Sequence, residues 1–147
     1  MVAFPFTDAE WDAIKGAALL VVNASLVEDI PMRASAYAGL LDKLGDLRAR
    51  YGDHPVLLET QADFADDNAE RVELYRRAAA VAEAHGLPIL SIRLSLAGLL
   101  LEAGEGLAAG SELLACEEEA TKGDDFDQAS WADLSARAQT CQPGRSI

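Results

Sequence analysis

The chain is poor in aromatic residues, in cysteine and in positive charge, and each shortage excludes something. Only 6% of its 147 residues are aromatic, so rings cannot supply most of a core. Ala, Leu, Glu and Arg dominate instead, a composition that favours helices packed closely through small side chains and argues against a sheet. The two cysteines lie far apart, with no CxxC pair and no histidine beside them in sequence. Neither a zinc site nor a disulfide framework is expected, and a reducing cytoplasm is the simplest home. Twelve basic residues stand against 25 acidic ones, for a formal charge of −13. Direct binding of nucleic acid needs Lys and Arg on phosphates, so it is excluded and a basic partner is favoured. Acidic excess also serves solubility. No stretch approaches the ~20 apolar residues that cross a bilayer, and the N-terminus lacks a basic region followed by an apolar run. The expected protein is therefore neither membrane-embedded nor secreted through a signal peptide.

What is present is enough apolar material, half of all residues, to bury a core without metal or disulfide. The first helix begins after Thr7, which can cap free amides while Glu10 closes a capping box and Phe6 staples onto Trp11. Its apolar stripe is Trp11, Ile14, Ala18, Val21, Val22 and Ser25, ended by Glu28, Asp29 and Pro31. Pro31 suits the first turn of a second helix with the stripe Ala34, Tyr37, Ala38, Leu41, Leu44 and Leu47, stopped by Gly52. These two make a hairpin over residues 8–51. A short third helix opens at Asp53 and Pro55, and a fourth runs from about Ala69 to His85 with Gly86 as its left-handed stop. The fifth, Ile89 to Leu101, has almost no polar face and must be buried all round. A sixth spans about 107–122, and a helix at 127–138 caps the end before a loose tail at 142–147.

Chemistry finds little footing. Asp63 with Asp66 and Asp67, Glu117-Glu118-Glu119, and Asp124-Asp125-Asp127 invite a metal. The aspartates, however, sit where helix N-termini favour negative charge, and the glutamates read as a solvated face. A calcium loop would need ligands where Ala129 and Ser135 stand. His54 and His85 mark a helix start and a helix end. Cys116 falls on a packed stripe, and no phosphate loop, GxSxG elbow or HExxH helix is present. No catalytic residue, metal or cofactor is assigned, and the chain is read as a non-enzyme.

One stretch says more. Leu96, Ala97 and Leu100 before Gly104, then Ala109, Leu113 and Cys116, space small and large residues as a stacked helical hairpin requires. Ala97 and Ala109 let backbones approach, while Leu100 and Leu113 fill the space beside them. Residues 88–122 resemble a tetratricopeptide repeat, although Thr121 and Lys122 stand where that pattern closes on a proline. Residues 54–87 resemble a degenerate copy, with Leu58, Ala62, Tyr75 and Ala78 in matching places. The resemblance implies an all-α fold of antiparallel hairpins stacked as a short right-handed solenoid of about seven helices, one domain over 1–141.

In that family the first helix of each pair lines an inner wall that holds a partner. Carried onto this chain, the wall comprises Val56, Glu59, Asp63 and Asp66 from the third helix and Leu90, Arg93, Gly98, Leu101 and Glu102 from the fifth. Arg93 is the lone cation of its helix, either paired with a carboxylate such as Asp63 or open to a ligand. Leu90 and Leu101 would also let two copies pair. The chain thus reads as a protein-binding module. In size and charge it is similar to small acidic bacterial immunity proteins, which neutralise a cognate, often basic, toxin; the alternative is a cytosolic chaperone or adaptor for a secreted effector or peptide segment.

Overall fold

The computed structural model describes residues 1–141 and shows them as eight helices without a strand: α1 (Asp8–Leu26), α2 (Ile30–Tyr51), α3 (Pro55–Phe64), α4 (Asn68–His85), α5 (Leu90–Glu102), α6 (Gly106–Ala115), α7 (Glu117–Thr121) and α8 (Asp125–Thr140). The expected tail at 142–147 lies outside the described residues. The helices group into two compact units, one over residues 1–81 and one from Ala82 on.

Local signals start and stop these helices. Thr7 and Glu10 form the full capping box of α1, and Phe6 stacks on Trp11 at 5.7 Å between ring centroids. Asp29 caps α2 by accepting from the Met32 amide at 2.9 Å, and Asp124 caps α8 by accepting from Asp127 at 2.8 Å. At α3 the cap is His54 rather than Asp53. Its Nδ1 accepts the Val56 amide at 3.1 Å while Nε2 meets the Val2 carbonyl at 2.8 Å, which ties the N-terminal segment to the start of α3. Helices α1, α4 and α5 all end in a paired backbone closure around a left-handed residue: Glu28, Gly86 and Gly104, at φ 55, 64 and 77. Two of the three are glycine because a Cβ is strained there.

The first unit is held by the α1–α2 hairpin. Its core joins Phe6, Ile14, Ala17, Val21, Leu40, Leu44, Leu47 and Leu57, with Trp11, Tyr37, Tyr51, Val56 and Phe64 half-buried against them. Glu10 fastens the two helices at the open end. It accepts from the Tyr51 hydroxyl at 2.6 Å and pairs with Arg50. Those contacts, led by Tyr51, hold the Glu10 carboxyl below its ordinary range.

The buried stripes differ in register from the sequence expectation. In α1 they are Ile14, Ala17, Val21 and Ala24, while Val22 and Ser25 face solvent. Residues 17–22 are apolar on every side, so spacing alone could not select the buried face. In α2 the buried residues are Leu40, Leu44 and Leu47. Leu41 is only half-buried, and Ala34 and Ala38 are exposed.

The second unit is built on α5, which packs against α6 and α8. Leu90, Ile92, Leu96, Ala97, Leu99, Leu100 and Leu101 are all buried, as a helix without a polar face demands. The expected sixth helix is two helices. At its break the Trp131 indole donates to the Leu113 carbonyl at 2.7 Å, the acceptor that a continuing helix would offer to Glu117. The N-terminus of α5 has no cap from its own residues. Instead the Glu119 carboxylate accepts the Ile89 amide at 3.2 Å, so Glu119 is half-buried and engaged while Glu117 and Glu118 form the solvated face.

The register of α2 predicts a ranking of variants. Leu40→Ala should lower unfolding free energy by about 2–5 kcal/mol, whereas Ala34→Gln should stay within ~0.5 kcal/mol of the parent chain. Urea denaturation of both variants checks this, and the reverse order would return Ala34 to the core.

Candidate functional site

The residues assigned from sequence to one binding wall fall in both units. In the first unit, Val56 is half-buried against the core, and Glu59 is half-buried and engaged. Asp63 lies near the C-terminus of α3 and accepts a short hydrogen bond from the hydroxyl of buried Tyr75. Burial of the Asp63 carboxyl raises its pKa above the ordinary 3.8, against the opposing pull of the Tyr75 hydroxyl and Arg71. Asp66 is 79% exposed yet meets Arg33 at 2.7 Å. Arg33 also donates to the Phe64 carbonyl at 2.8 Å and to Ser25 Oγ at 3.0 Å. One guanidinium therefore latches α1, α2 and the end of α3 together, and Asp66 completes that latch.

In the second unit, Leu90 and Leu101 are each 8% exposed and belong to the packing around α5, so neither is offered to a partner or to a second copy. Gly98 is half-buried and Glu102 faces solvent. Arg93 pairs with Glu112 at 2.5 Å and Glu83 at 3.2 Å, with side chains of Arg93 and Glu112 only 13% and 16% exposed. The carboxylate that sequence reasoning gave it, Asp63, is held by Tyr75 instead. Charge neutralisation within a helix packing seam accounts for Arg93, since an unpaired charge at that depth is costly. Of the assigned residues, Asp66 and Glu102 remain at the surface, and Asp63 is exposed as a residue while its carboxyl is turned in against Tyr75; Asp63 and Asp66 thus already have intrachain partners.

The setting of Cys116 does not activate its thiol. Burial pushes the Cys116 thiol up to about 11, far from a thiolate at neutral pH. Among the described residues no three His, Cys, Asp or Glu side chains converge on a point that could hold a metal ion. No described helix is long and apolar enough to cross a membrane.

Two surfaces that sequence reasoning missed are apolar. In the first unit, Leu19, Leu20, Leu26, Val27 and Ile30 are 57–80% exposed along the outside and tip of the α1–α2 hairpin. A groove of about 620 Å³ runs beside them between Gly16 and Leu20 of α1 and Met32, Ala36 and Gly39 of α2. In the second unit, a groove between α6 and α8 is floored by Gly110 and Trp131 and flanked by Leu107 and Leu114, which are 70% and 71% exposed. The signal was the surplus of apolar residues in 17–27 and at 107 and 114, more than one buried stripe can use. The chain matches no protein-family profile, no curated protein and no solved structure.

Two outcomes follow from these contacts. Glu112→Leu alone should destabilise the fold by about 1.5–3 kcal/mol by leaving Arg93 with only the exposed Glu83 as counter-charge, and adding Arg93→Met should recover most of that loss in a double-mutant cycle read by denaturant unfolding. Asp63 binds its proton more tightly folded than unfolded. Its contribution to stability is thus present below the unfolded pKa and lost as pH rises through the folded one. Tyr75→Phe removes a bond to the ionised form and should raise the Asp63 pKa further, measured by carboxyl NMR titration; an unmoved value would show that the hydroxyl does not support the carboxylate.

Proposed function

We propose that this chain is a non-catalytic protein-binding module, read most specifically as an immunity-type protein that binds and neutralises a cognate basic toxin. The supporting observation is its surplus of solvated carboxylates on a helical scaffold. Glu102, Glu105, Glu117, Glu118, Asp124 and Asp125 of the second unit are all exposed. Such a surface speeds encounter with a basic partner and can occupy a site built for phosphate. The α5–α6 hairpin, turned at Gly104 with Ala97 and Ala109 wholly buried, supports the finer reading of a short tetratricopeptide-like stack. With Leu90, Leu101 and Arg93 engaged within the chain, the partner-facing residues in this reading are Glu102 and the other exposed carboxylates of the second unit.

A second reading, an adaptor for an extended segment of a secreted effector, is favoured by the α6–α8 groove. An open apolar channel with Leu107 and Leu114 on its rim suits an unfolded segment better than a folded basic domain.

Co-expression with the product of a neighbouring toxin-like gene tests the proposal. A tight complex that abolishes the toxin's activity is expected, weakening as salt rises. The triple variant Glu102→Lys, Glu117→Lys, Asp125→Lys should slow association at least about 10-fold with less change in dissociation. Undiminished toxicity with no complex would overturn the immunity reading, and capture of an extended peptide blocked by Leu114→Glu would favour the adaptor.

A further inference from the structure

The outer face of the α1–α2 hairpin carries the longer run of exposed apolar side chains among the described residues. Leu19, Val22 and Leu26 recur at helical spacing as an exposed ridge, and Val27, Ile30 and Met32 continue it around the tip at 52–80% exposure. Beside the ridge lies the groove carrying Gly16 and Gly39. Both glycines are inside helices, where glycine is unfavourable, and a Cβ built on either meets nothing within 4 Å. Packing within the chain thus gives no reason for them, nor for Gly45, Gly98 and Gly110, which share that open space; Gly16 and Gly39 differ in standing on the α1 and α2 walls of one groove. Close approach of another helix there supplies a reason.

Three features identify the occupant. Ridge and groove occur on the same pair of helices, so a twofold axis would seat each copy's ridge in the other's groove, the self-complementarity an isologous interface needs. Charge agrees: residues 8–51 hold seven acidic and five basic side chains, against 18 acidic and seven basic elsewhere. A face on this hairpin, where acidic and basic side chains are nearly balanced, lets two copies of a chain of charge −13 meet without strong repulsion. Its rim carries both signs, with Lys15 bonded to Asp12 at 3.3 Å and Lys43 at the groove wall. Area agrees as well. At roughly 60–120 Å² of apolar surface per full side chain, the exposed fractions of Leu19, Leu20, Val22, Leu26, Val27, Ile30 and Met32 offer about 300–500 Å² per copy. Interfaces are only ~57% non-polar, so that corresponds to about 500–900 Å² in all, bracketing the ~800 Å² per partner of a specific complex.

We propose that this face is a homodimer interface, with the Leu19–Val22–Leu26 ridge of one copy seated in the Gly16–Gly39 groove of a second. The proposal rests on none of the residues assigned to a toxin partner and stands or falls without that reading.

Sedimentation velocity of the full chain over a dilution series provides the test. The expected result is a species of about twice 15.6 kDa that dissociates on dilution and never grows beyond two copies. Leu19→Glu with Leu26→Glu should raise the dissociation constant at least ~100-fold while circular dichroism stays helical. Gly39→Leu, which fills the groove from a position with open space around it, should do the same and decides the matter if the double variant does not fold. Leu107→Glu, on the other apolar surface, should leave the dimer intact. A monomer at every concentration, a mass that climbs past two, or a dimer unaffected by Gly39→Leu would overturn the proposal.

Discussion

Close approach of helix backbones is the constraint on which both units depend. A chain with 6% aromatic residues cannot fill wide gaps between helices, so the helices must come together where side chains are small. Ala24, Ala62, Ala78, Ala82, Ala97 and Ala109 have no solvent exposure, and the other wholly buried residues are Leu40, Leu57, Leu58 and Leu96. Alanine sets the spacing and leucine fills what is left. Enlarging one of those alanines would force helices apart, which close-packed interiors tolerate poorly. At Gly106 the limit is tighter still, because a Cβ there would overlap the Cys141 carbonyl.

Polar contacts then act as fasteners at the ends of these packed rods. Glu10 joins α1 to α2 through Tyr51 and Arg50, Arg33 joins the hairpin to the end of α3, and Glu119 caps α5 from a separate helix. Each uses a charged group to satisfy a neighbour's unmet backbone or charge requirement. The same engagement removes several carboxylates and the one buried cation of α5 from the list of groups free to recognise a partner. What remains uncommitted is of two kinds, solvated carboxylates and uncovered apolar surface, and each unit has both.

Those two kinds of surface suit different contacts. Exposed like charge steers a partner of opposite sign and repels a second copy of the same chain. An uncharged ridge beside a groove of small residues does the reverse, since it rewards shape and is indifferent to long-range field.

The elements themselves were legible in the residues. Thr7 with Glu10, Asp29, Gly86 and Gly104 mark helix ends through bonds reaching no more than a few residues, and α5 announces its burial by lacking any polar side. The candidate wall was not legible to the same degree. Val56 and Asp63 stand at the ends of α3 as expected, but whether Asp63 meets Arg93 or Tyr75 depends on contacts between helices. Likewise the apolar run at 17–22 fits several faces equally well, and only packing against Leu40 and Leu44 selects Val21 over Val22. Sequence alone therefore determined where most helices begin, end and lack polarity, because those effects are local; the break between α6 and α7, where Trp131 takes the Leu113 carbonyl, was not among them. Tertiary structure decided which apolar side is covered and which charges are spent on each other, because both depend on neighbours that spacing along the chain does not specify.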